Sequence, residues 1–107
     1  MFARKVSIRL KKDSLAEFTK TFKQQIVPML RKQQGFKDEL VLAVAGSNDV
    51  LAISLWESRT DAETYYENDY KMVLKALENV IEGTPRVGTP EILHTTLAET
   101  GAAVLAA

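Results

Sequence analysis

The sequence predicts an α+β fold: a ferredoxin-like βαββαβ sandwich in which a four-stranded antiparallel sheet carries helices on one face. Three observations predict it. The N-terminal residues alternate apolar and polar. Two later segments repeat apolar residues at spacings of three and four behind helix-capping patterns. Two apolar runs flank a short Gly-Ser-Asn-Asp loop. At 107 residues and 11.9 kDa the chain is one domain's worth. The domain is assigned to residues 1–97 and a C-terminal tail, small and apolar at its end, to 98–107.

The first strand is read from Phe2, Arg4, Val6, Ile8 and Leu10, which alternate with Ala3, Lys5, Ser7, Arg9 and Lys11. A period of two with β-branched residues gives a half-buried strand. Its apolar face is interrupted only by Arg4. Ser14-Leu-Ala-Glu17 is a capping-box pattern. The following stripe of Leu15, Phe18, Phe22, Ile26, Met29 and Leu30 predicts a helix from about Leu15 to Gln33. Gly35 is suited to end it, and Pro28 should kink it because it lacks an N–H and crowds the preceding turn.

Glu39–Ala45 and Val50–Glu57 predict a β-hairpin closed by Gly46-Ser47-Asn48-Asp49. Both strands are apolar on both faces. A two-layer sandwich covers only one face of its sheet, so the hairpin calls for a second cover and thus for a homodimer. Thr60-Asp-Ala-Glu63 reads as another capping box. Ala62, Tyr66, Tyr70, Val73, Leu74, Leu77 and Ile81 form the next stripe, with a break expected at Asn68-Asp69 and a stop at Gly83. The last strand is expected over Glu91–Leu97, after the Gly/Pro-rich stretch from Pro85 to Pro90.

Composition narrows the function classes. Lys+Arg and Asp+Glu both number 14, so the net charge is zero and a dedicated nucleic-acid binder is not expected. There is no cysteine, which removes thiolate chemistry and disulfides, and a single histidine leaves little for a metal site. The chain has neither a secretory h-region nor an apolar run near the length of a membrane span, so a cytoplasmic protein is the default. The zero is a balance of unlike halves. Residues 1–37 hold 10 basic against 2 acidic side chains, or +8, and residues 38–107 hold 4 against 12, or −8. Opposite fields within one protomer suit self-association.

Ile53-Ser-Leu-Trp-Glu-Ser-Arg-Thr-Asp-Ala-Glu-Thr-Tyr-Tyr66, together with Val27-Pro-Met-Leu-Arg-Lys-Gln-Gln-Gly-Phe36, resembles the antibiotic biosynthesis monooxygenase (ABM) family of dimeric α+β barrels. The resemblance implies two four-stranded sheets meeting across a two-fold axis, with a cavity between sheet and helices in each subunit. It also implies a cofactor-free oxidation of a small aromatic or quinol-like ligand, which requires an electron-rich substrate, a group to take its proton and a dry cavity. Quinol-oxidising relatives carry histidines that fall near Tyr65 and Tyr70. Heme-degrading relatives carry an iron-ligating histidine that falls near Lys75, so heme degradation is not expected, and neither a metal nor a cofactor is assigned. The alternative is a non-catalytic dimeric barrel that binds a small apolar ligand or a partner.

The candidate catalytic residues are His94, a proton acceptor near neutral pH, Tyr66, and Arg4, whose guanidinium would need an anionic partner if buried. The candidate ligand-binding residues are Trp56, Tyr65, Tyr66 and Tyr70. Each has a structural counterpart: Trp56 as core filling, the tyrosines as a helix stripe packed on the sheet, His94 and Arg4 as exposed strand residues. No phosphate loop, dinucleotide fingerprint, zinc helix or nucleophile elbow is present.

Overall fold

The N-terminal alternation becomes β1, Phe2–Arg9. In the computed structural model, which describes residues 1–97, Arg4, Val6 and Ile8 face the helices, and Leu10 just beyond the strand is buried with them. The chain continues as α1 (Leu15–Thr21), a π-helical turn (Phe22–Ile26) and α2 (Val27–Arg31). It then forms β2 (Phe36–Ala43), β3 (Asp49–Trp56), α3 (Arg59–Asn68), α4 (Tyr70–Leu77) and β4 (Arg86–Gly88). The sheet order is β2-β3-β1-β4 with every pair antiparallel, the arrangement of a ferredoxin-like sandwich. No helix among the described residues is long and apolar enough to cross a membrane.

The predicted kink at Pro28 takes the form of the π turn. Phe18, Phe22, Ile26 and Leu30 are all buried, four residues apart each time. Four residues of α-helix overshoot a full turn by about 40°, so a strict spacing of four drifts off the core within three steps. A π turn is wider and re-phases the stripe. It also puts the carbonyls ahead of Pro28 out of α-helical register, so the missing N–H breaks no regular ladder. Leu15, counted in the predicted stripe, is instead exposed.

Two caps differ from expectation. Ser14 does stand at the N-cap of α1, but its hydroxyl caps no amide. The cap of α3 is Ser58 rather than Thr60: Ser58 Oγ accepts from Asp61 N–H at 3.2 Å and donates to Asp61 Oδ2 at 3.0 Å. The break at Asn68-Asp69 is present, since Asp69 separates α3 from α4. The α4 helix ends at Leu77, short of the predicted stop, and the chain turns so that Ile81 bridges to Leu10.

The last strand is displaced from its expected place. β4 is Arg86–Gly88, paired with Lys5–Ser7 of β1, and Glu91–Leu97 is not a strand. Pro90 has no amide hydrogen to donate, so the ladder stops before it. The chain then runs along the outer face of the sheet, where Ile92 and His94 border a cavity with Ile53 and Leu55. The tail assigned to 98–107 lies outside the described residues.

The core lies between the sheet and the helices. Trp56, Phe18, Ile26, Leu77 and Val50 are its largest fully buried side chains. Burying a large apolar side chain contributes about 1.5–3 kcal/mol. The outer face carries Leu40, 53% exposed, and Leu42, 43% exposed. The unlike charge halves meet at two exposed ion pairs, Arg9–Asp49 at 3.2 Å and Lys37–Glu57 at 2.7 Å, which add little stability in water.

Gly35 and Gly46 have nearly equal positive φ, 79° and 76°, but a Cβ on Gly46 meets nothing whereas one on Gly35 would overlap the Asp61 carboxylate. Gly46→Ala should therefore cost only the backbone strain, about 1–2 kcal/mol. Gly35→Ala should cost that plus the displaced α3 cap, about 1 kcal/mol more. Urea denaturation of both variants checks the difference, and equal losses would contradict the close approach of Asp61.

Candidate functional site

A charge is buried on the helix-facing side of the central strand. Arg4 is only 4% exposed. Its strand neighbours Val6 and Ile8 require that face to point inward, so Arg4 points inward too. Its guanidinium carbon lies 4.2 Å from the ring centre of Tyr70, 5.0 Å from that of Tyr66 and 5.5 Å from that of Tyr65. Aromatic faces offset part of the cost of taking a cation out of water. They leave Arg4 Nη2 without a hydrogen-bond partner.

Two other buried polar atoms share that condition: Tyr70 Oη and Glu39 Oε2. All three residues line one inner cavity of about 30 Å³, walled otherwise by apolar side chains such as Phe22, Ile26 and Leu77. The volume suits a water or two. One strong donor, one hydroxyl and one acceptor therefore converge on a dry space with nothing from the protein to satisfy them. Unpaired groups of this kind are costly unless a ligand or water meets them.

Glu39 is the residue that sequence reasoning missed. It begins an apolar run, and the period of two places it on the same face as Val41 and Ala43. That pattern was available as a signal: a lone carboxylate in register with an inward-facing stripe. Burial pushes its carboxyl from the usual 4.5 up to about 8; the Arg4 cation opposes the rise and Asp38 adds to it. Burial likewise raises the phenols of Tyr65 and Tyr70 above the usual 10, with Arg4 working against both. Tyr70 lies near enough to Arg4 to feel it, although Tyr70 Oη makes no hydrogen bond of good geometry.

The aromatic candidates divide. Trp56 is fully buried, stacks on Tyr65 at 5.0 Å and meets Phe36 edge-on at 5.6 Å. Its Nε1–H donates to Ser54 Oγ at 2.9 Å. It lines neither the inner cavity nor the groove beside it, so it supports Tyr65 rather than facing a ligand there. The predicted stripe put Tyr66 inward. Instead Ala62 and Tyr65 form the buried face of α3, and Tyr66 is 50% exposed. The break at Asp69 resets the helical phase, so Tyr70 returns inward at the start of α4. Tyr66 still touches the cluster from outside, 5.3 Å from Tyr70. His94 is exposed on the opposite side of the sheet, against Ile53 and Leu55, and does not join Arg4 and the tyrosines.

A larger groove of about 660 Å³ opens between the first helical segment and β2. Phe22 and Glu39 border both spaces, so they form the wall between the groove and the inner cavity. Among the described residues no group of three His, Cys, Asp or Glu side chains gathers in a metal-binding arrangement.

Comparison with known proteins follows this geometry. The model of the antibiotic biosynthesis monooxygenase family matches residues 1–70. No curated protein matches the sequence. Among solved structures, SnoaB from Streptomyces nogalater, described as a cofactor-independent oxygenase, superposes with a TM-score of 0.72 at 17% identity, covering 88% of this chain and 94% of its own. A protein from Mycobacterium tuberculosis gives 0.68 at 13% identity, with 88% and 96% covered. A conserved protein from Methanosarcina mazei gives 0.67 at 18%, with 85% and 93% covered. At these identities the likeness is one of fold.

The raised Glu39 carboxyl has a measurable consequence. The folded protein keeps a proton that the unfolded chain releases near 4.5. Stability linked to Glu39 is thus complete below that pH, falls as pH rises towards about 8 and is level beyond. Glu39→Gln carries no such loss. Its stability relative to the parent should climb between about pH 5 and about pH 8, as followed by urea denaturation. Parallel curves for the two proteins would show that Glu39 titrates normally.

Proposed function

The chain belongs to the antibiotic biosynthesis monooxygenase family, and from that premise we propose that it is a cofactor-independent monooxygenase acting on a small phenol- or quinol-like aromatic compound. The observation that carries the reading is the convergence of Arg4 Nη2, Tyr70 Oη and Glu39 Oε2, each buried and unpartnered, on one cavity behind an open groove. The inner cavity is too small for an aromatic ring. The substrate body therefore sits in the groove, and its reacting hydroxyl reaches past Phe22 and Glu39.

Glu39, as a carboxylate, takes the hydroxyl proton. Its raised affinity for that proton is suited to a base working near neutral pH. Arg4 and the Tyr70 hydroxyl stabilise the phenolate or enolate that forms, in a space that excludes water. The electron-rich anion passes one electron to dioxygen, giving a substrate radical and superoxide. Their recombination forms a carbon–oxygen bond, and protonation from Glu39 gives a hydroperoxide. Loss of water, made of one oxygen atom and two substrate hydrogens, leaves the other oxygen as a carbonyl. Dioxygen is the oxidant, and the substrate gains one oxygen as it loses two hydrogens.

The apolar outer sheet face favours a homodimer as the working unit, with Leu40 and Leu42 covered by the partner's sheet. The same fold would also serve a protein that binds an aromatic ligand without turning it over.

Oxygen uptake over a panel of phenols and quinols tests the activity. Turnover should rise with pH through about 8, the value to which Glu39 is pushed, and Glu39→Gln should lower kcat by about 10²–10⁴-fold. Binding without uptake across the panel would leave the ligand-binding reading. For assembly, light scattering should give twice 11.9 kDa, and Leu40→Glu with Leu42→Glu should return the monomer mass. A monomer in the parent protein would contradict the dimer.

A further inference from the structure

The rim of the groove carries charge that the oxidation does not use. Lys23, on the π turn, and Arg31, at the end of α2, both border it from the helix wall. Lys37 borders it from β2, but is held at 2.7 Å by Glu57. Lys23 and Arg31 take part in no ion pair among the described residues. The floor between them is apolar: Phe18, Phe22 and Val41. The acids on this side are Asp38, which accepts from the Glu39 backbone N–H at 2.9 Å, and Glu39, at the inner end.

An apolar trough with free cations along one wall and an orphaned donor–acceptor set at its base has a definite chemical complement. We propose that the groove selects an amphiphilic anion: an aromatic body lying on Phe18, Phe22 and Val41, with a carboxylate, sulfonate or phosphate substituent held by Lys23 and Arg31. The inference rests on the reading of this groove as the substrate chamber, and narrows the substrate to an aromatic acid with its oxidisable hydroxyl remote from its acid group. The π turn is what presents Lys23 to the groove while Phe22 and Ile26 stay buried. Partly desolvated cations bind an anion more strongly than fully solvated ones.

The test uses two fluorescent probes of nearly the same shape. One is 8-anilinonaphthalene-1-sulfonate; the other is N-phenyl-1-naphthylamine, which lacks the sulfonate. The sulfonate should bind at least about tenfold more tightly, with the advantage shrinking as salt is added. Lys23→Gln with Arg31→Gln, both at exposed positions, should abolish that preference and leave the neutral probe unchanged. Val41→Trp, which fills the floor from a site already 36% exposed, should weaken both probes and so locate them in the groove. Equal affinities in the parent, absence of binding, a preference that survives the double substitution, or binding indifferent to Val41→Trp would each overturn the proposal. Glu39→Gln separates the two readings: it should halt oxygen uptake and leave the sulfonate preference intact. A sulfonate preference without any oxygen uptake would sink the oxygenase reading and not this one.

Discussion

The guanidinium of Arg4, held in the middle of the central strand by the alternation that buries Val6 and Ile8, sets the conditions for everything packed around it. A cation in an apolar layer must be met by something. Here three tyrosine rings from α3 and α4 face it, and a carboxyl from β2 shares its cavity. None of them completes its hydrogen bonding. The packing therefore settles the position of the charge but leaves its valence open, and the same incompleteness recurs at Tyr70 and Glu39. A pair built for stability would close on itself; this cluster stays open to a guest.

The aromatic stack behind the cluster fixes it in place. Trp56 takes its hydrogen bond from within its own strand, through Ser54, so its ring is free to stack on Tyr65. Tyr65 in turn meets Tyr70 edge-on at 6.3 Å. The tyrosine nearest solvent, Tyr66, and those facing the cavity are thus parts of one layered arrangement. Its phase is set by the helix break at Asp69.

Much of this was legible in the sequence, and the misses share a physical cause. Element order and the apolar strand faces follow from periodicity, which reports burial directly. Arg4 stood out because it broke an otherwise apolar stripe. Tyr66 was placed inward because its stripe was read through Asn68-Asp69 as if the helix were continuous, and a phase reset is invisible to a simple count. The last strand was sought where residues alternate, in Glu91–Leu97, whereas pairing is limited by Pro90 and fits the shorter stretch before it. His94 went astray with that strand. Glu39 was passed over because a single acid at the edge of an apolar run resembles a strand terminus, and only the three-dimensional neighbourhood reveals how deeply its second oxygen is sunk.

The π turn has a historical consequence. A π-helical segment differs from an α-helix by one extra residue within the same span. Removing one residue between Phe22 and Ile26 would restore plain α-helix and rotate everything after it by about 100°. Leu30 would leave the core, and the position after Phe22 would swing away from the groove. Relatives that descend from an ancestor without the insertion should align with this chain across a one-residue gap at that point. The gap would mark where a surface cation was first turned towards the pocket.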